Sequence, residues 1–531
     1  MDIRIIPITQ RNHFSPMIQN IKTTIRIRSY PVLLFAMFIT LNGFSVKGDN
    51  HGQEQVPDNN QINSGTPGQT DNNFLSISVE DALLLALENN RTLKMQRFTP
   101  EISMTFEEQE RAAFDVALSA QGKYAEREPA SFSNPEKSTV YGAESSLQKL
   151  FPIGAKLGLE FSFEDTQVGG VDTNTVRVGL TFQQALLRGR GRSVNLASLS
   201  QARLASEMSW HEFRGYAEAL SAEVETTYLN FVIAFKQNEI VQQWLHLAEC
   251  QLTEIKHRIR VGQLAETELA AAEAEIASRN EALINSEGRI ETLCARLNRL
   301  LIPTMLVGER KEILPLTEPV IQPMPLGSKE EHTIIALLLR ADIAHAELLL
   351  ETGEIELVKT KNGLLPKMDL FVNMGKTGYA DSFSRAFSDL DGDGYDVSAG
   401  LMFEYPHRNR RAKAVHSRSK LTLAQREEAL ENMKDLVRLD VELAFIEMLQ
   451  ARKQVDATKV TRSFQEEKLR AETAKFKVGK STAILVAGAQ RDLLSSQVAE
   501  AESLVKYLIA RINLYKAEGS LLARRGICVL D

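Results

Sequence analysis

The chain has 531 residues, 43% of them hydrophobic and 25% charged, with a formal net charge of -7. That acidic balance excludes general nucleic-acid binding, and the apolar content is that of ordinary folded protein. The three cysteines, Cys250, Cys294 and Cys528, are odd in number and widely spaced, so neither a disulfide framework nor a zinc site follows.

At the amino terminus, Arg26 and Arg28 precede a short apolar core from Pro31 to Leu41, which is followed by the small residues Gly43, Ser45 and Gly48. This is an export-signal pattern, so 1–48 reads as a signal peptide region, with Met17 as an alternative start. The apolar run ends at Asn42, too early to span a bilayer, and no cysteine follows it for acylation. Residues 49–75, rich in Asn, Gln, Gly and Asp, read as a disordered linker.

A first structural repeat is expected over 76–301. It opens with an amphipathic helix from Ser76 to Asn90, for which Ser78 supplies an N-cap, and a second from Leu93 to Phe114, where Pro100 predicts a kink or a later start. From Val116 the period changes to two. Leu157, Leu159, Phe161 and Phe163, then Val176, Val178, Leu180 and Phe182, each line one face of a strand. Fainter strands are expected at 116–124 and 139–149, the latter turning at Phe151-Pro152-Ile153-Gly154. Helix then returns for about a hundred residues. Leu245, Ala248, Leu252, Ile255 and Ile259 have the spacing of a coiled-coil seam, which breaks at Arg260-Val261-Gly262 and resumes until Pro303.

Residues 302–328 carry Pro303, Pro315, Pro319, Pro323 and Pro325 and read as an extended linker. A second repeat, 329–525, follows the same order. Two helices are expected from His332 to Leu350 and from Glu351 to Leu365, then strands at Met368, Leu370, Val372 and Met374 and from Tyr395 to Tyr405. From His407 the chain is free of proline and reads as two very long helices meeting near Gly479, the first about 70 residues and on the order of 100 Å long. Residues 526–531 are a tail. Ala295-Arg296-Leu297-Asn298 is mirrored by Ala510-Arg511-Ile512-Asn513, and Arg260-Val261-Gly262 by Lys477-Val478-Gly479, so an internal duplication is the simplest account.

Strands with one apolar face fit a transmembrane β-barrel. One chain offers four to six of them, whereas a closed barrel needs at least about eight, and an open edge in lipid leaves backbone groups unsatisfied. Several chains must therefore share one barrel, with the long helices forming a tube beneath it.

This layout, with Leu186-Leu187-Arg188-Gly189-Arg190-Gly191-Arg192, Asn362-Gly363-Leu364-Leu365-Pro366-Lys367, Val478-Gly479 and Gln490-Arg491-Asp492-Leu493-Leu494, closely resembles the TolC-like outer-membrane efflux proteins over nearly all of 76–525. The resemblance implies a mainly α fold with a membrane β-barrel part, assembled as a homotrimer in which a twelve-stranded barrel sits on a periplasmic α-helical barrel. It implies the outer membrane and periplasm of a Gram-negative bacterium as location. The implied partners are a periplasmic adaptor (membrane fusion) protein, an inner-membrane pump and outer-membrane lipid. The implied function is a passive duct in a tripartite efflux or type I secretion system, with no cofactor. Arg260, Val261, Gly262, Lys477, Val478 and Gly479 would be the adaptor-docking tips. Glu268 matches the acidic residue that the family often carries six positions after the glycine. Leu485 stands at the second such position and is expected to give an apolar pore constriction. Ala185 replaces the proline usual before Leu-Leu-Arg-Gly, so the first strand-to-helix junction is expected to bend gradually, and a hairpin near 139–165 is expected either to be extra to the family pattern or to lengthen the extracellular part.

Two basic clusters, Arg188, Arg190 and Arg192, and Arg408, Arg410, Arg411 and Lys413, fall at equivalent junctions and are expected to face anionic headgroups. Asp389, Asp391 and Asp393 match the start of a calcium loop, but Gly400 stands where the bidentate Glu belongs, so a polar hairpin loop is the first reading and calcium the second. None of the nine histidines has metal-ligand spacing, and no nucleophile motif or phosphate loop is present, so no enzyme is expected. The alternative to a duct is a secreted or surface coiled-coil protein of adhesin type, presenting the 381–397 loop.

Overall fold

The structure, a computed structural model, describes residues 4–5, 74–127, 137–263, 265–301, 312–317 and 327–528. Apart from residues 4–5, the expected signal region lies outside the described residues, as do 49–73 of the expected disordered linker.

Strand β1 (Phe74–Ile77) leads into helices α1 (Val79–Asn89) and α2 (Arg91–Arg111). Ser78 caps α1 through a reciprocal capping box with Asp81, and the Asn90 side chain caps α2 by accepting from the Thr92 and Leu93 amides. Helix α2 thus starts two residues earlier than expected and runs through the buried Pro100 rather than starting after it. Four strands follow, β2 (Val116–Arg127), β3 (Ser138–Leu150), β4 (Ala155–Val168) and β5 (Val171–Ala185), then the long helix α3 (Ala197–Arg260) and its partner α4 (Thr267–Leu301).

The linker is not wholly without structure. Its strand β6 (Glu312–Pro315) pairs in parallel with β1, which also moves Phe74 and Leu75 from the expected disordered segment into the fold. The Tyr228 hydroxyl of α3 donates to the Ile77 carbonyl at 2.8 Å and accepts from the Thr317 amide at 3.3 Å, locking this small sheet to the long helix.

The second half repeats the helices almost length for length. Helices α5 (Lys329–Leu339) and α6 (Ala341–Gly363) answer α1 and α2, and α5 carries the same capping box, from Ser328 and Glu331. The break between them is at Arg340, eleven residues before the expected one at Glu351. Arg340 ends the helix in an extended conformation and is held there by Asp342 and Asp440, so a charge cluster breaks the helix where no proline or glycine does. Strand β7 (Lys367–Ala380), the short helix α7 (Phe383–Asp389) and strand β8 (Tyr395–Glu404) precede α8 (Arg410–Lys477) and α9 (Ala483–Ala517). The long arms α3 and α8 have 64 and 68 residues, about 100 Å each at ~1.5 Å per residue, and the return helices α4 and α9 have 35 each.

The six long strands form one antiparallel sheet in the order β2-β3-β4-β5-β7-β8. Cross-strand pairing places Leu118, Leu147, Leu159, Leu180, Met374 and Val397 on one face. That face is open, with Leu118 72% and Tyr395 76% exposed. The other face is polar: Ser119 meets Ser146, Gln183 donates to Asp369, and Arg177 reaches across Gly375 to Asp396 with Nη2–Oδ2 at 2.8 Å. Among the described residues no helix is long and apolar enough to cross a membrane.

The core lies where the helices of both halves meet. Tyr228, Phe231, Leu297 and Leu301 form one cluster with α1. Leu229 and Ile233 on the opposite side of α3 join Val441, Met448 and Leu514 in a second. A short helix, α10 (Leu521–Arg524), staples the carboxyl end onto this region. Arg525 makes two hydrogen bonds to Glu225, and Glu518 is engaged by His332, Ser520 and Arg524. Glu218 on α3 accepts from the Leu522 amide through both oxygens at 3.3 Å, and burial pushes its carboxyl up to about 7 from an ordinary 4.5. Because the folded value lies above the unfolded one, the protonated form favours the fold. Its contribution is complete below about pH 4.5 and is lost as the pH rises through 7. Glu218→Gln should therefore remove about 2 kcal/mol of the stability decline between pH 5 and pH 8, at ~1.36 kcal/mol per unit, in urea melts followed by circular dichroism. A decline equal to that of the parent protein would refute the assignment.

Candidate functional site

The two hairpin ends are built identically. In the first, the Gly262 amide donates to the Ile259 carbonyl and the Gln263 amide to Arg258 at 2.8 Å. In the second, Gly479 donates to Phe476 and Lys480 to Lys475, again at 2.8 Å. Both are Schellman ends, which need a left-handed residue just past the helix. Gly262 and Gly479 supply it at φ 74° and 75°. A side chain at either would meet no atom within 4 Å, so the glycines are demanded by backbone conformation and not by crowding. Val261 and Val478 are thrust outward, Val478 being 68% exposed, and Arg260 and Lys477 place positive charge at the carbonyl-rich helix ends. Each tip therefore presents an apolar side chain, a cation and a sharp turn in the same order.

Beyond the tips the halves diverge. Thr482 caps α9 by accepting from the Leu485 amide, which leaves the Leu485 side chain 56% exposed. Glu268 lies in the first turn of α4, with one carboxylate oxygen buried and without a hydrogen-bond partner. The two hairpins face each other across a cleft of about 550 Å³ lined by Leu247, Ile255, Leu469, Phe476, Ile484 and Val486. Contacts that bridge it were not foreseen from sequence: Arg258 lies over the Phe476 ring at 5.8 Å, Arg491 approaches Glu275 at 3.9 Å, and Trp244 donates to Gln497 at 3.0 Å. The signal for one of them was present, since Arg491 belongs to the Gln490 to Leu494 motif.

At the opposite end, strand passes into helix without the gradual bend expected from Ala185. The turn is made by Gly189 and Gly191, at φ 87° and 100°, and is clamped by asparagines. Asn362 accepts from the Gly189 amide, and Asn195 donates to the Gly189 and Gly191 carbonyls. At the second junction Asn409, in the left-handed region at φ 43°, donates to the Leu364 carbonyl at 3.1 Å. These clamps bring Arg188 together with Arg408, Arg410 and Arg411 around one hollow of about 750 Å³, to which Lys359 adds a further cation. Arg190 and Arg192 do not line it.

The acidic loop is arranged differently from a calcium site. Asp389 ends α7 and accepts from the Tyr379 amide at 3.0 Å, while its carbonyl accepts from Gly392. Among the described residues no three acidic, histidine or cysteine side chains are set to hold a metal. Asp389, Asp391 and Asp393 lie between β7 and β8, where the first carboxylate closes the turn.

A family model described as outer membrane efflux protein matches residues 335–520. The pyoverdine export outer membrane protein OpmQ of Pseudomonas putida is 25% identical over 308 residues. The match covers 56% of this chain and 62%, less than two thirds, of that protein. Among solved structures, the outer membrane protein VceC of Vibrio cholerae superposes with a TM-score of 0.62 at 15% identity, covering 83% of this chain and 96% of that one. The MtrE outer membrane channel of Neisseria gonorrhoeae does so at 0.59 and 20%, covering 84% and 89%. The likeness in fold extends over both repeats, and the outer membrane efflux protein family model falls on the second.

Proposed function

We propose that the chain is the outer-membrane channel component of a tripartite efflux or type I secretion system, a passive duct across outer membrane and periplasm. The observation that carries this reading is the single sheet with an apolar exposed face and a polar face, from which helices about 100 Å long continue directly. Three copies would close the barrel and the helical tube together. The hollow formed by Arg188, Lys359, Arg408, Arg410 and Arg411 would then lie at the foot of the barrel, against anionic headgroups of the inner leaflet. Val261 and Val478 are the docking contacts for a periplasmic adaptor, which couples the duct to an inner-membrane pump. OpmQ, by its name, exports pyoverdine, which agrees with an export role here.

Purified protein should run as a trimer in mild detergent and open discrete conductance steps in planar bilayers; a soluble monomer without conductance would overturn the duct. In that assay Leu485→Asp should shift the reversal potential toward cation selectivity, because three acidic side chains replace three apolar ones at the narrow end. Val261→Glu with Val478→Glu should leave conductance unchanged and reduce export by cells at least tenfold. Unreduced export would remove the tips from adaptor docking.

A further inference from the structure

Six strands per chain are two more than the twelve-stranded barrel implied by the resemblance allows. The hairpin expected to be extra, 139–165, is β3–β4 and lies inside the sheet, so the two strands at that free edge are β2 and β3, and they continue the same ladder. Strands β2 and β3 pair along their whole lengths, from Val116 opposite Lys149 to Arg127 opposite Ser138, and β3 continues into β4 from Leu150 opposite Lys156 to Ser138 opposite Val168. Their side chains alternate as those of the other strands do. Val116, Leu118, Ala120 and Tyr124 of β2 and Tyr141, Ala143 and Leu147 of β3 face the side of Leu159 and Leu180, joined there by Ser145 and, at the helix-side end, Lys149, whereas Ser119, Gln121 and Lys123 face the side of Arg177 and Asp396. A hairpin standing above the membrane would have no reason to carry an apolar outer face in register with the rest.

Resting on the trimeric duct reading, we infer that all six strands are barrel wall, that the barrel has eighteen strands, and that β2 of one copy pairs with β8 of the next. Three features of the lone sheet agree. The number of strands is even and neighbours alternate in direction, so β2 and β8 of adjacent copies meet antiparallel. The ladder also carries a stagger. One row of pairs runs Val116, Lys149, Leu157, Phe182, Val372, Ala399; Val116 is the first residue of β2, whereas residues 400–404 of β8 lie beyond Ala399 on the helix side. The sheet therefore shears by about one residue per strand, which at ~3.3 Å per residue and ~4.8 Å between strands is a tilt of about 35°, inside the range for closed barrels. Finally, carrying the same stagger across the junction sets Ala399 opposite Gly122 of the next copy. Both positions belong to the apolar face, so closure keeps every side chain on its proper side. At equal tilt such a barrel is about half as wide again as one of twelve strands.

The test is cysteine cross-linking of the full chain in membranes, with Cys250, Cys294 and Cys528 first changed to serine. Ala399→Cys is combined in turn with Ala120→Cys, Gly122→Cys or Tyr124→Cys. The expected result is a disulfide-linked trimer, dissolved by reductant, for one of these pairs and strongest for Gly122, since facing residues of antiparallel strands lie within disulfide reach. Ala399→Cys with Phe161→Cys probes the alternative, in which the barrel closes on β4 and the β2–β3 hairpin stands aside. Cross-linking of that pair alone overturns the eighteen-stranded barrel and leaves the duct intact, as does a trimer in mild detergent that no pair cross-links. A monomer that forms no cross-link overturns both.

Discussion

A strand edge in hydrocarbon exposes amide and carbonyl groups that nothing there can satisfy, each at a cost of several kcal/mol. The sheet of this protein has two free edges, β2 and β8, which would meet that cost in lipid, and an exposed apolar face. Six strands fall short of the roughly eight with which membrane-spanning barrels begin. From this one constraint the rest of the architecture follows. On the duct reading proposed above, other copies supply the missing wall, and each helix leaving a strand continues a wall shared among chains. The chain's core must also lie beside that wall and not at its centre. The two buried clusters where the halves meet satisfy this, since they use α3 from both sides and leave the long arms largely in contact with their own return helices.

A tube assembled from parts this long depends on the angles at their joints. An error of a few degrees at the strand-to-helix junction displaces a tip about 100 Å away by several ångströms. The junctions are accordingly fixed by side chain to backbone hydrogen bonds from Asn195, Asn362 and Asn409, residues that hold left-handed turns without the freedom of an open loop. At the far end the two Schellman turns give the same geometry twice from different sequences, Arg260 to Gly262 and Lys477 to Gly479. Between these fixed ends, the bridging contacts of the cleft are sparse and partly exposed: a cation over a ring, one long ion pair and one indole hydrogen bond. Rigidity is placed at the joints, and the hairpins are joined loosely near the tips.

Much of this was legible in the sequence because the signals were periodic or chemical. Alternation over Leu157 to Phe163 and Val176 to Phe182 marked strands and their outer face, Ser78 marked a cap, and Gly262 and Gly479 marked turns. What was missed has a physical reason in each case. The helix break at Arg340 is made by ion pairs with Asp342 and by Asp440, a residue 100 positions away, so no local pattern announces it. Pro100 suggested a disrupted helix, yet Asn90 starts the helix early enough for it to run through the proline. The outer face of β2 and β3 was faint because it mixes Ala, Ser and Gly with Leu and Tyr, and only pairing to β4 reveals it as continuous with the stronger strands. At Asp389 the first reading was a polar hairpin loop, for which Gly400 in place of the bidentate Glu was the signal; the Tyr379 amide that it accepts from is not visible in sequence spacing.

The unequal division of strands, four from the first half and two from the second, stands against helices matched nearly residue for residue, 35 against 35 in the return arms. An ancestor that doubled its whole length would have left equal numbers of strands. On the duplication reading, the imbalance arose after the doubling, when one half gained a hairpin or the other shed one. Whole hairpins added to or taken from the sheet would alter its girth while leaving the helices, which join it near Gly189 and Asn409, as they are.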